Sequence, residues 1–128
     1  TADVTWSTHC SQDRLSRLRL LLQQWQGPIV CAVLADGGWS SGSALLAQAR
    51  GLCSEAEGRL AICLLMQRRP RLWQSRVASA YPANSLRETS LSLVRTPLVL
   101  LADVDLLPSA GLLNVVGQYS ASLHSCTE

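Results

Sequence analysis

Apolar and polar positions along this chain fall into blocks of two kinds. Ile29–Ala35, Leu60–Met66 and residues 98–102 are unbroken apolar runs, too short for helices. That is the pattern of strands covered on both faces of a parallel sheet. Residues 4–8 form a shorter β-leaning segment. Elsewhere apolar residues recur every three or four positions. Leu15, Leu18, Leu22 and Trp25 define one helical face, with Arg14, Arg17, Gln23 and Gln24 off it. Ser11 reads as that helix's N-cap, Asp13 suits its first turn, and Gly27-Pro28 ends it. Further helices are predicted over 44–53, 84–94 and 110–123. Residues 40–43 read as a loop, 67–81 as irregular, and Gly58 as a break.

The resulting order is β-α four times over. Strands alternating with helices imply βαβ units and a mostly parallel sheet, hence an α/β fold. Ligands of such sheets lie beyond the carboxyl ends of the strands. The segments after Thr8, Ala35, Met66 and Ala102 therefore share one rim.

Composition narrows the function classes. With 128 residues the chain has room for one domain. It is 48% hydrophobic and 16% charged, which excludes global disorder. No run approaches the about 20 apolar residues that a membrane span needs. A net charge of +2 gives no basis for binding nucleic acid or an anionic membrane. All eleven basic residues are arginine. None of the five cysteines forms C-x-x-C, so a zinc or redox motif has no support; Cys31 and Cys63 read as small apolar residues of buried strands.

The chemistry concentrates at Asp103-Val104-Asp105, which an apolar strand delivers to the binding rim. Two carboxylates there make a hard oxygen site suited to Mg²⁺ or Mn²⁺. The alternative is a pair of solvated turn residues ending the strand. Leu107 and Pro108 exclude an EF-hand, sitting where that loop needs a ligand and a glycine. Two enzyme classes fit a strand ending in D-x-D: phosphoryl transfer through an aspartyl nucleophile, and glycosyl transfer from a nucleotide sugar. The first needs a downstream lysine and further acids; the chain has no lysine, and 23 residues follow Asp105.

Tyr81-Pro82-Ala83-Asn84-Ser85-Leu86-Arg87, Thr96-Pro97, Asp103-Val104-Asp105-Leu106-Leu107-Pro108-Ser109 and Gly111-Leu112 together resemble glycosyltransferase family 49, which includes LARGE-type glucuronyltransferase domains. Upstream, Asp13-Arg14-Leu15 and Trp25-Gln26-Gly27-Pro28-Ile29 resemble further elements of that family, in the same order. Glu88, Ser90 and Leu106 depart from its usual Asn, Ala and Phe, and Glu88 places a carboxylate near the expected diphosphate.

The resemblance implies a Rossmann-like GT-A αβα sandwich, here truncated after the D-x-D strand and one helix. Residues 1–128 would then be the nucleotide-sugar-binding part of one domain. It implies transfer of a sugar, such as glucuronic acid, from a UDP-sugar to a glycan or glycoprotein acceptor, with inversion and with Mn²⁺ or Mg²⁺. Asp105 would bind the metal directly; Asp103 would contact the ribose or the metal's water. Asn84 and Arg87 would orient the donor, and Thr8 would contact the base, with Asp36 a weaker candidate. The general base would come from a second half of the fold, so the chain alone is expected to be inactive. The alternative is a non-catalytic nucleotide-sugar-binding remnant. Such relatives imply a Golgi-luminal type II membrane protein, its anchor outside these residues. Arg68, Arg69, Arg71 and Arg76 read as a solvated loop. The glycines after Asp36 lack a G-K-[ST] ending and read as turn residues. His9 and His124 share no ligand spacing.

Overall fold

The computed structural model describes residues 4–35, 39–66 and 81–125. Four strands and four helices alternate: β1 (Val4–Ser11), α1 (Arg17–Gln24), β2 (Ile29–Ala35), α2 (Trp39–Glu55), β3 (Leu60–Met66), α3 (Ala83–Ser92), β4 (Leu98–Leu101) and α4 (Leu112–Ser125). A 3₁₀ turn, Gln12–Arg14, leads from β1 towards α1. All strand pairs are parallel, in the order β3-β2-β1-β4. The architecture is α/β and Rossmann-like. The chain steps outward from β1 to β3, then returns to the other side of β1. The switch point of the sheet therefore lies between β1 and β4.

Strand alternation divides the core into two layers. Val4, Trp6, Cys10, Ile29, Cys31 and Val33 pack with Leu15, Leu18, Leu21, Trp25, Leu45 and Leu52, and with Leu112, Leu113 and Val116 of α4. Ala32 and Leu34 on the other face pack with Leu86 of α3. Helices thus cover both faces, with α1, α2 and α4 opposite α3.

Several boundaries differ from the sequence reading. β1 runs to Ser11 rather than Thr8, because β2 pairs with it through Ser11↔Leu34. Ser11 therefore ends a strand. Its hydroxyl donates to Asp13, whose pKa is lowered as a result, and the expected single helix becomes a 3₁₀ turn plus α1. Residues 40–43 are helical: α2 begins at Trp39, since small polar residues are tolerated in a first turn whose N–H groups lack helical partners anyway. α3 stops at Ser92, ahead of Thr96-Pro97, whose proline disfavours helical backbone before it. α4 begins only after Gly111, whose φ of +83° is left-handed. β3 and β4 are sheet edges rather than strands buried on both faces; Met66 and Leu101 are exposed, and Cys63 is half-buried. Asp36 and residues 67–80, with their four arginines, lie outside the described residues. No helix among the described residues is long and apolar enough to cross a membrane.

The turn from α1 into β2 explains Trp25-Gln26-Gly27-Pro28. Trp25 is fully buried against Trp6, ring centroids 5.4 Å apart. Its indole N–H donates to the Pro28 carbonyl at 3.1 Å. A Cβ on Gly27 would meet that indole nitrogen at 2.9 Å, so only glycine fits. Carbonyls left over at the end of α1 are taken by one guanidinium. Arg59 donates to Trp25 O at 2.7 Å, and to Gly27 O and Leu22 O at 3.3 Å. Arg59→Ala leaves these part-buried acceptors unpaired and should cost about 1.5–3 kcal/mol. A urea titration of the variant should show that loss, with Arg59→Lys recovering part of it because an ammonium lacks the fork.

Candidate functional site

The unequal lengths of β1 and β4 create the site. β4 accompanies β1 only as far as Ser7↔Leu101, and Ala102 N–H donates to Ser7 O at 3.1 Å. Beyond that point β1 continues from Thr8 to Ser11, paired on the β2 side alone. The chain leaves β4 through Asp103-Val104-Asp105. Val104 is 6% exposed and anchors this segment in the core. The two aspartates flanking it are exposed, as alternation about a buried residue requires. Leu106 N–H closes the turn on Asp103 O at 3.1 Å.

The gap between β1 and β4 is a cavity of about 400 Å³, lined by Ser7, Thr8, His9, Arg87, Ser90 and Asp103 together with Leu101, Ala102 and Leu106. A second cavity of about 220 Å³ adjoins it, sharing His9 and Asp103. Cys10, Ser11, Arg14, Tyr81, Val104 and Asp105 complete its wall. The first volume falls in the range of small-molecule sites. Both stand at the carboxyl ends of parallel strands at a switch point, where α/β sheets bind ligands.

Of the residues singled out from sequence, Thr8, Arg87 and Asp103 meet in the larger cavity. Asp105 lies in the smaller one. Asn84 lies in the first turn of α3, exposed, and lines neither; Glu88 is likewise exposed and outside both, one residue around the helix from Arg87. Thr8 is 2% exposed, and its hydroxyl has no hydrogen-bond partner among the described residues. By strand alternation its side chain lies on the face of Trp6 and Cys10, so it borders the cavity from the opposite side of β1 to Ser7 and His9. His124 falls within α4.

Three side-chain hydrogen bonds fix α3 and its flanks against β1. Thr5 bonds Thr96 at 2.6 Å, Ser7 bonds Ser90, and His9 Nδ1 bonds the Tyr81 hydroxyl at 2.8 Å. The β1 partners are alternate residues, so they share one face of the strand. The ladder climbs from the strand's start to the rim, where His9 lines both cavities and Tyr81 the smaller. Sequence reasoning missed it: Thr5-x-Ser7-x-His9 is a polar period of two that could have been read, but its partners lie 72 to 91 residues away.

Electrostatics follow from the same neighbours. The Asp103 carboxylate makes no hydrogen bond or ion pair with any described residue. Asp105 Oδ1 accepts from Arg14 Nη1 at 2.6 Å, with Arg17 Nε at 3.5 Å. Burial pushes the Tyr81 hydroxyl up to about 12, so it stays protonated. Burial and the positive charge of Arg87 lower the His9 pKa, against the opposing pull of Asp103. Among the described residues no three His, Cys, Asp or Glu side chains gather into a metal cage. Two carboxylates are nonetheless the donor set of an ion that takes its remaining ligands from phosphate and water. Asp103 is unengaged and Asp105 keeps Oδ2 outside its ion pairs, so this pair fits Mg²⁺ or Mn²⁺ in that role.

No model of a known protein family matches the chain. Among curated proteins it is similar to the xylosyl- and glucuronyltransferases named LARGE. It is 32% identical to LARGE2s of Gallus gallus over 110 residues, 86% of this chain and 14% of that protein. It is 33% identical to LARGE1 of Danio rerio over 113 residues, 86% of the chain and 13% of that protein. It is 31% identical to LARGE1 of Homo sapiens over 115 residues, 88% of the chain and 14% of that protein. The chain thus spans about one seventh of the length of these relatives, which are glycosyltransferases by name.

The lowered pKa of His9 sets a direction for stability. Below pH 6.5 an unfolded chain takes up a proton that folded His9 resists, so stability should fall as pH drops through that value. His9→Gln should flatten this dependence in urea titrations at several pH values. Arg87→Gln should raise the His9 pKa in an NMR titration of its ring protons, and Asp103→Asn should lower it.

Proposed function

We propose that the chain is the nucleotide-sugar-binding part of a glycosyltransferase domain of family 49, with a GT-A fold. In this reading the donor is a UDP-sugar, the metal is Mn²⁺ or Mg²⁺, and the acceptor is a glycan carried on a glycoprotein. The sugar transferred is of the kind the relatives' names state, xylose or glucuronic acid. The full-length protein is placed in the Golgi lumen as a type II membrane protein. The observation that carries the proposal is the meeting of Thr8, Arg87 and Asp103 in one cavity at the switch point, with Asp105 in the adjoining one. Similarity to LARGE enzymes over most of the chain supports it.

Each residue has a task that its chemistry suits. Thr8, on β1 at the cavity, contacts the nucleotide base. Arg87 presents a fork of N–H donors that matches phosphate or carboxylate oxygens. Asp103 and Asp105 hold the cation, Asp105 directly and Asp103 through the ribose or the metal's water. When bound, the divalent ion supplies charge neutralisation at the diphosphate as the nucleotide departs. Tyr81, protonated well above neutral pH, lines the smaller cavity and holds His9 through its hydroxyl. These residues bind and orient the donor. The proton taken from the acceptor hydroxyl in an inverting displacement requires a base on the acceptor side, which they do not provide.

Calorimetric titration of UDP into the chain with and without Mn²⁺ tests the reading. Mn²⁺ should strengthen UDP binding, and Asp105→Ala should remove most of that gain. Arg87→Gln should weaken UDP binding by about tenfold, the loss expected for one charge-assisted hydrogen bond. UDP affinity indifferent to the metal would count against the proposal.

A further inference from the structure

We infer that Arg14 is a second phosphate-binding residue of this site, held in reserve by Asp105. The inference rests on the nucleotide-sugar reading above and extends it to a residue that lines the other cavity from Arg87. Arg14 and Arg17 converge on one oxygen of Asp105, at 2.6 and 3.5 Å. Two guanidinium groups thus share a single carboxylate oxygen, in a cavity wall that also carries Asp103. Arg14 lines the smaller cavity with both aspartates, whereas Arg17 lines neither cavity. The Arg14 and Asp105 side chains are 49% and 51% exposed, so water competes for the bond and partners exchange readily.

The backbone under Arg14 is fixed. Its neighbour Leu15 is fully buried, and Leu15 N–H donates to Gln12 O at 3.3 Å to close the 3₁₀ turn. The guanidinium is therefore delivered to the end of β1 on a firm base while its tip remains free to turn. A cation bound to Asp105 through the free Oδ2 draws charge from Oδ1 and loosens Arg14's hold on it. A phosphate oxygen of a nucleoside diphosphate is the acceptor that suits a planar fork of donors. Arg14 then closes on the diphosphate from the smaller cavity, with Arg87 on it from the larger. In the absence of nucleotide the same residue competes with a cation for Asp105. A single side chain thus opposes metal binding alone and favours metal with diphosphate.

The two effects have opposite signs, which a purely structural role would not produce. In Arg14→Gln, Mn²⁺ alone, followed by the electron paramagnetic resonance of the free ion, should bind about two- to fivefold more tightly. UDP at saturating Mn²⁺ should bind about tenfold more weakly, and uridine, which lacks phosphate, should bind as in the parent chain. Arg14→Lys should fall between, keeping the charge without the fork. Weaker Mn²⁺ binding by Arg14→Gln, or unchanged UDP affinity beside a parent chain that binds UDP with Mn²⁺, overturns the role of Arg14 alone. A parent chain that binds no UDP with Mn²⁺ overturns the nucleotide-sugar reading, and this inference with it.

Discussion

The site exists because one ladder of hydrogen bonds stops before its neighbour does. β1 and β2 pair as far as Ser11↔Leu34, whereas β1 and β4 pair only to Ser7↔Leu101. A parallel sheet ordinarily satisfies its interior backbone groups on both sides. Ending one side early leaves a notch whose walls are a strand edge, a helix and an exiting loop. Each wall contributes a different kind of group: the strand gives Thr8 and His9, the helix gives Arg87, and the loop gives Asp103. Val104, buried between two exposed aspartates, holds the loop at the notch.

How much of this was legible in the sequence depended on the range of the interactions. Ile29–Ala35 and Leu60–Met66 could be bounded from apolar runs alone, because strand burial is written locally. The alternation of strands and helices implied a parallel sheet, and hence the rim on which Asp103 stands. The length of β1 was not legible, since Cys10 and Ser11 become strand only through their partners on β2. The apolar runs of β3 and β4 looked alike and resembled β2, although sheet order makes both of them edges. The polar face Thr5-Ser7-His9 was hidden because its matching groups come from Thr96, Ser90 and Tyr81, far along the chain. The Arg14–Asp105 pair, 91 residues apart, was equally out of reach. Motif spacing found the aspartates, but it could not tell that one of them is occupied and the other unengaged.

The two faces of β1 are held by different forces. On one face Val4, Trp6 and Cys10 meet the apolar residues of α1 and the flank of Trp25. There the Cys10 and Cys31 sulfurs lie 3.9 Å apart, and their hydrogen bond together with burial pushes the Cys31 thiol up, so it stays protonated as an inert packing group. The other face joins hydroxyl to hydroxyl and ring to ring. Dispersion is tolerant of small displacements, whereas hydrogen bonds are directional.

That difference determines which parts of the notch can adapt to a guest. A helix seated only on apolar side chains can slide by a fraction of an ångström with little penalty. Through its buried Ser7–Ser90 rung, α3 would have to unpair hydroxyls to do so, which is costly away from water. The wall bearing Arg87 therefore behaves as a fixed ruler. The segment after Leu101 is held by Ala102 N–H on Ser7 O, by buried Val104 and Pro108 and by the exposed Arg14–Asp105 pair, while Leu106 and Leu107 are exposed. One wall of the notch is thus set by directional bonds away from water, the other by two buried side chains and an ion pair that water shares.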